Sequence, residues 1–98
     1  MVLYINTADP KIVTVSLKED KKILKSLSEE NEYGSQVLLP LIMKLLPPRG
    51  WDVVDEIEVD RGPGSYTGIR VGVSVANALG FALNIPVNGK KMETSLKY

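Results

Sequence analysis

The stretch from Ile57 to Leu83 constrains the fold of this chain most. Ile57-Glu58-Val59-Asp60 has the look of a strand, Arg61-Gly62-Pro63-Gly64-Ser65 of a glycine-rich turn, and Gly68 or Ile69 to Leu83 of a helix. On that helix Val71, Val75, Ala78, Leu79 and Ala82 form the expected packing face. Gly72, Ala76 and Gly80 recur at intervals of four, a row of near-absent side chains that lets another backbone come close. An interior helical glycine costs ~1 kcal/mol relative to alanine, so close packing has to offset the two in this row.

The flanking elements mix strands and helices. Val2 to Ile5 is a short apolar run ended by the turn-prone Asn6-Thr7-Ala8-Asp9-Pro10. From Ile12 to Leu17, Val13, Val15 and Leu17 alternate with Thr14 and Ser16, the period-2 pattern of a sheet with one face more buried. Glu19-Asp20-Lys21-Lys22 then connects to a third strand over Ile23 to Leu27, making an antiparallel meander; a surface helix over Lys21 to Glu29 also fits the apolar spacing. Ser28 to Ser35 is a polar lead into a first helix from about Gln36 to Leu46. Val37, Leu38, Leu41, Ile42 and Leu45 share one face of it while Leu39, Met43 and Leu46 lie on another. Coverage that wide implies burial on both sides or a partner surface. Pro40 either follows a late helix start or bends the element, and Pro47-Pro48-Arg49-Gly50 ends it. Asn84-Ile85-Pro86-Val87 forms a further short strand, and Asn88 to Tyr98 is a polar, lysine-rich tail.

Composition removes several classes of function. Ninety-eight residues make one domain, whose core buries only about 65% of the unfolded surface. Twelve basic and twelve acidic residues balance, so no net charge draws in a polyanion. With no cysteine and no histidine, disulfides, thiolate metal sites, Cys and Ser-His nucleophiles and imidazole bases are all excluded. The N-terminus lacks a signal-peptide pattern and no segment reaches ~18 consecutive apolar residues, which makes a cytoplasmic protein with no membrane association the expectation. No cofactor and no metal site are expected. Asp52, Asp55, Glu56, Glu58 and Asp60 are taken as a solvated face, because catalytic carboxylates need facing geometry and a pocket. Trp51 is expected to cover one end of the core.

The turn ahead of the second helix offers two roles. It can present backbone N–H groups and the positive helix end to an anion, or Ser65 or Thr67 can simply cap the helix. It matches neither the P-loop nor the dinucleotide fingerprint in spacing. Arg61 and Arg70 are read as ion-pairing or helix-start residues before contacts to a phosphate or a nucleic acid, and Tyr66 as a packed or partner-contacting ring.

Gly62-Pro63-Gly64-Ser65-Tyr66-Thr67-Gly68-Ile69-Arg70, followed by Val71-Gly72 and Ala76-Asn77-Ala78-Leu79-Gly80, closely resembles the signature of the TsaB (YeaZ) family, bacterial partner proteins in threonylcarbamoyladenosine modification of tRNA. Ile5-Asn6-Thr7-Ala8, Ser35-Gln36-Val37-Leu38-Leu39-Pro40 and Ile85-Pro86-Val87-Asn88-Gly89 add weaker matches, so the resemblance runs from about Val2 to Gly89. It implies an α/β, actin-like and ribonuclease-H-like domain with a mixed five-stranded sheet and two main helices. It also implies a non-catalytic subunit that pairs with a TsaD-like (Gcp-like) catalytic subunit through two helices, with a TsaE-like ATPase joining the assembly and any tRNA contact indirect or weak. Carried onto this chain, the partner contacts would be Leu38, Leu39, Ile42 and Met43 with Val71, Gly72, Val75, Ala76 and Leu79. A homodimer through the same helices is a further implication.

Two departures stand out. The family usually places aspartate after the first strand, where this chain has Asn6, a poorer ligand for a hard divalent cation. The chain is also expected to be a single domain, residues 1–98, without the second domain of the family and so without an inter-domain nucleotide cleft. Two alternatives stay in play: a small nucleotide-binding hydrolase using the Gly62–Ser65 turn, and a homodimeric structural or regulatory remnant.

Overall fold

The computed structural model describes residues 1–30 and 34–91. The polar lead at 31–33 and the tail beyond Lys91 lie outside the described residues. The chain opens as a meander of β1 (Val2–Asn6), β2 (Ile12–Glu19) and β3 (Lys22–Glu30). Asp20 and Lys21, at φ of 51° and 67°, make the two-residue turn whose positive φ angles give it the twist of the flanking antiparallel strands. The third element is therefore a strand and not the competing helix, and at nine residues it reaches further than Leu27.

Helix α1 (Gly34–Leu45) follows, then a single 3-10 turn (Gly50–Val53), β4 (Glu56–Val59), α2 (Tyr66–Leu83), β5 (Pro86–Val87) and β6 (Lys90–Lys91). The sheet order is β3-β2-β1-β4-β5-β6, with β1 parallel to β4 and β4 parallel to β5. The expected mixed five-stranded sheet with two helices is present, and the two-residue β6 extends it beyond β5. Asn88 and Gly89, at φ of 50° and 80°, form the turn between those last strands. The Asn88 amide also completes the ladder, accepting from the Val59 N–H at 2.8 Å and donating to the Val59 carbonyl at 3.1 Å.

Both helices lie on one side of the sheet and touch each other. Leu3 and Ile5 of β1, Val13, Val15 and Leu17 of β2, and Ile57 and Val59 of β4 meet Leu38, Leu41, Ile42 and Leu45 of α1 and Ala76 of α2. Full burial of an aliphatic side chain of this size stabilises by about 1.5–3 kcal/mol. Helix α1 starts six residues ahead of Pro40, which lies on its exposed side. Trp51 is half-buried against this core, as expected of a cover at its end.

The opposite sheet face carries Val2, Tyr4 and Asn6 beside Lys18, Ser16 and Thr14, with Glu56 and Glu58 alongside. Polar pairs knit it: Lys18 Nζ to Glu58 Oε2 at 2.9 Å, Ser16 Oγ to Ser26 Oγ at 2.9 Å, and Thr14 Oγ1 to Ser28 Oγ at 3.0 Å. Among the described residues, no helix is long and apolar enough to cross a membrane.

Candidate functional site

The signature string is explained first by what it packs against. The start of α2 and the turn before it lie directly on the Thr7-Ala8 backbone that leaves β1. Ser65 donates its N–H to the Ala8 carbonyl at 2.7 Å, and the Thr7 hydroxyl donates to the Gly68 carbonyl. A Cβ added at Gly64 would stand 2.5 Å from the Ala8 oxygen, and one at Gly68 would be driven into the Thr7 carbonyl oxygen. Real Cβ atoms essentially never come within 3.0 Å of another heavy atom, and here the obstacle is backbone. These two glycines are thus required by close approach.

Of the two roles open to this turn, the structure supplies the cap. Ser65 has extended backbone angles and its Oγ accepts from the Gly68 N–H at 3.2 Å. At the far end Asn84, at φ 57°, turns the chain while its N–H and that of Ile85 satisfy carbonyls of the last helical turn. The Gly62-Pro63 peptide is cis.

Asn6 and Asp60 close the neighbouring ends of the parallel strands β1 and β4, and both are occupied in holding turns. Asn6 Oδ1 accepts from the Ala8 N–H at 3.0 Å and its Nδ2 donates to the Tyr4 hydroxyl at 3.3 Å. Asp60 Oδ1 accepts from the Gly62 N–H at 2.8 Å, and Oδ2 accepts from the Tyr4 hydroxyl at 3.3 Å. The Tyr4 phenol is held above its ordinary pKa, by burial first and then by the Asp60 charge and hydrogen bond, against smaller opposing effects of Asn6 and Lys18. Of the remaining acids, Glu58 pairs with Lys18, Asp55 with the N-terminal ammonium at 3.2 Å, and Asp52 is exposed. Among the described residues no group of three or more His, Cys, Asp or Glu is placed to hold a metal.

The residues expected at a partner surface separate into two sets. Leu38, Ile42 and Ala76 have no exposed area and Gly72 is buried, so in this structure these four offer a partner little or no surface. Leu38 and Ile42 are turned into the core, and on α2 Gly68 and Gly72 lie against Thr7, just after β1. What comes close to the small-residue row at Gly72 is the chain's own side chains: one added there would strike the Thr7 hydroxyl and stand 3.4 Å from a Val59 methyl, while the close backbone approach lies one turn earlier, at Gly68 against the Thr7 carbonyl. Of the expected packing face, Val71, Val75 and Leu79 are half-buried against the core, whereas Ala78 and Ala82 are exposed and do not belong to it.

The second set stays accessible. On α1, Leu39 is 46% and Met43 55% exposed. On α2, Val71 and Val75 line a shallow open depression of about 400 Å³ with Thr67, Arg70 and Ser74. Tyr66 is 74% exposed, with the Arg70 guanidinium 5.5 Å from its ring centre, a cation–π distance. Arg61 is exposed too. Sequence reasoning missed Thr7 and Asn88, which tie loops to the sheet; the Asn-Gly pair at 88–89 was the available signal for the second, and nothing local marks the first.

A meander, two parallel crossovers carried by helices on one sheet face, and a capped helix start seated on the first strand's turn define an α/β domain of the actin-like, ribonuclease-H-like class. Residues 29–90 match the family model described as "TsaD: tRNA N6-adenosine threonylcarbamoyltransferase". The Bacillus subtilis tRNA threonylcarbamoyladenosine biosynthesis protein TsaB is 33% identical over 89 residues, covering 89% of this chain and 39% of that protein. A solved structure of YeaZ from Pseudomonas aeruginosa superposes with a TM-score of 0.75 at 35% identity, covering 88% of this chain and 41% of that one. A tRNA N6-adenosine threonylcarbamoyltransferase of Nitrosospira multiformis is 46% identical over 54 residues, 53% of this chain and 16% of that protein. The chain belongs to the TsaB (YeaZ) family, within the wider family of that transferase model. It spans about two-fifths of the length of the TsaB and YeaZ proteins just described.

Proposed function

We propose that this chain is a non-catalytic partner subunit that docks on a TsaD-like catalytic subunit and supports threonylcarbamoyl transfer to adenosine 37 of tRNA in the cytoplasm. It is the counterpart of the first of the family's two domains, and a TsaE-like ATPase joins the same assembly. The observation that carries this reading is the outer surface of the helix layer. Leu39 and Met43 of α1 are large, apolar and about half exposed, and Val71 and Val75 of α2 border an open depression on the same layer. Apolar side chains clustered around a shallow concavity are the usual core of a protein interface, where a few fully desolvated anchors dominate affinity. The occupied hydrogen-bonding groups of Asn6 and Asp60 favour a supporting over a catalytic role.

Co-expression with a TsaD-like subunit and titration calorimetry of the purified pair test this. Leu39→Asp and Met43→Asp should each weaken the complex by about tenfold or more, a typical cost for a charge buried at an anchor, with an unchanged circular dichroism spectrum. Complexes of both variants as tight as the parent would show that the helix layer is not the docking face.

A further inference from the structure

Among the described residues, no strand pairs with the long outer edge of the sheet. β3 is nine residues long, pairs with β2 alone among the described strands, and is exposed over most of its length. An edge of that length presents a row of N–H and C=O groups ready to accept another strand. Its regular part is Lys25 to Glu30, opposite Leu17 to Ile12, because a bulge at Leu17/Lys18 leaves Leu24 without a partner on β2. Charge along β3 is segregated, with Lys22 and Lys25 toward its start and Glu29 and Glu30 at its end.

We propose that β3 pairs antiparallel with β3 of a second copy of this chain, about a two-fold axis at Leu27, joining the two sheets into one. A parallel neighbour would set lysine against lysine and glutamate against glutamate, whereas inversion brings unlike ends together. Pleating requires facing residues to lie on the same side of the sheet, so the axis must pass beside a residue and not between two. With the axis at Leu27, Lys25 faces Glu29 of the second copy, Ser26 faces its Ser28, and Leu27 faces its own copy. Each unlike-charge pair occurs twice. An axis at Ser26 sets Lys25 against Leu27 and runs Lys22 through the bulge, and one at Ser28 sets Glu29 against Leu27. The Leu27 register alone sets Lys25 against Glu29 and leucine against leucine, and its mismatch, Glu30 facing the bulged Leu24, falls at the ends of the paired stretch.

The side chains agree with this choice. Lys25, Leu27 and Glu29 stand beside Leu17, Val15 and Val13 on the helix side, and Ser26 and Ser28 beside Ser16 and Thr14 on the open side. Leu27 is half-buried and gains cover from its twin. Glu29 also meets Lys44 of α1 at 3.4 Å, so the edge adjoins that helix, but the groups that would pair are the backbone of β3 and not the outer side chains Leu39 and Met43.

Charge exchange tests the register. In sedimentation equilibrium at low ionic strength the parent chain should self-associate, and added salt should weaken the association. Lys25→Glu alone and Glu29→Lys alone should each weaken it by about tenfold or more, because like charges then face each other twice. A one-to-one mixture of the two variants should associate again, since every facing pair in the mixed dimer is of opposite charge; that restoration also shows both variants are folded. Met43→Asp should leave self-association unchanged. A parent that stays monomeric at millimolar concentration, single exchanges that associate as the parent does, a mixture that does not associate, or loss of association in Met43→Asp would each overturn the proposal.

Discussion

Gly68→Ala is the sharpest probe of this fold, because two physical effects predict opposite signs. Gly68 lies inside α2, and on propensity alone alanine should stabilise the helix by ~1 kcal/mol. The structure places the Thr7 carbonyl oxygen where the new methyl would go, with the Ser65 Oγ 3.4 Å away. A carbonyl in a backbone fixed by β1 cannot rotate aside, so the start of α2 must move outward. Overpacking of this kind costs about 1–3 kcal/mol. The movement also loosens the Ser65 cap, worth ~1 kcal/mol, and the buried Thr7–Gly68 hydrogen bond, worth about as much. Set against the propensity gain, the net loss is about 2–4 kcal/mol, a large part of the 5–15 kcal/mol typical of a domain. With roughly 4–8 °C per kcal/mol at this size, the melting temperature should fall by about 10–30 °C. Urea and thermal unfolding followed by circular dichroism measure it. A variant as stable as the parent, or more so, would refute the close approach and with it the account of why the signature string holds glycine there.

Ser65→Ala removes only the cap, and urea unfolding should show a loss of about 1 kcal/mol, clearly smaller than that of Gly68→Ala. The raised pKa of Tyr4 makes a pH prediction of definite sign: the folded chain favours the protonated phenol, so the contribution is fully present below the ordinary value of 10.0 and is lost as pH rises through the folded value. Stability measured by urea unfolding from pH 8 upward should therefore fall less steeply in Tyr4→Phe than in the parent, and parallel curves would remove Tyr4 as the cause.

Strand-turn-helix order was legible because it is written locally. Val13, Val15 and Leu17 alternate, Asp20-Lys21 is a polar break of hairpin length, and Ser65 stands where a cap belongs. The third strand was harder, since Ile23, Leu24 and Leu27 fit either period; the bulge at Leu24 is what spoils its alternation. The short final hairpin was legible in principle from Asn88-Gly89. The Thr7–Gly68 contact had no local signal, because it joins residues far apart in sequence through one backbone oxygen and one hydroxyl.

The sequence by itself determined the α/β class, the two helices, the glycine-rich turn between the fourth strand and the second helix, and the family resemblance carried by that turn. Only the tertiary structure decided which surface each apolar row meets. The Gly72-Ala76-Gly80 row invited another backbone, whereas Gly72 proved to lie against the side chains of the chain's own Thr7 and Val59. The wide apolar coverage of α1 divided into Leu38, Leu41, Ile42 and Leu45 against the sheet and Leu39 and Met43 toward solvent. Periodicity reports which residues share a face of an element, whereas burial depends on which layer that face is laid against, and that follows from strand order and crossover.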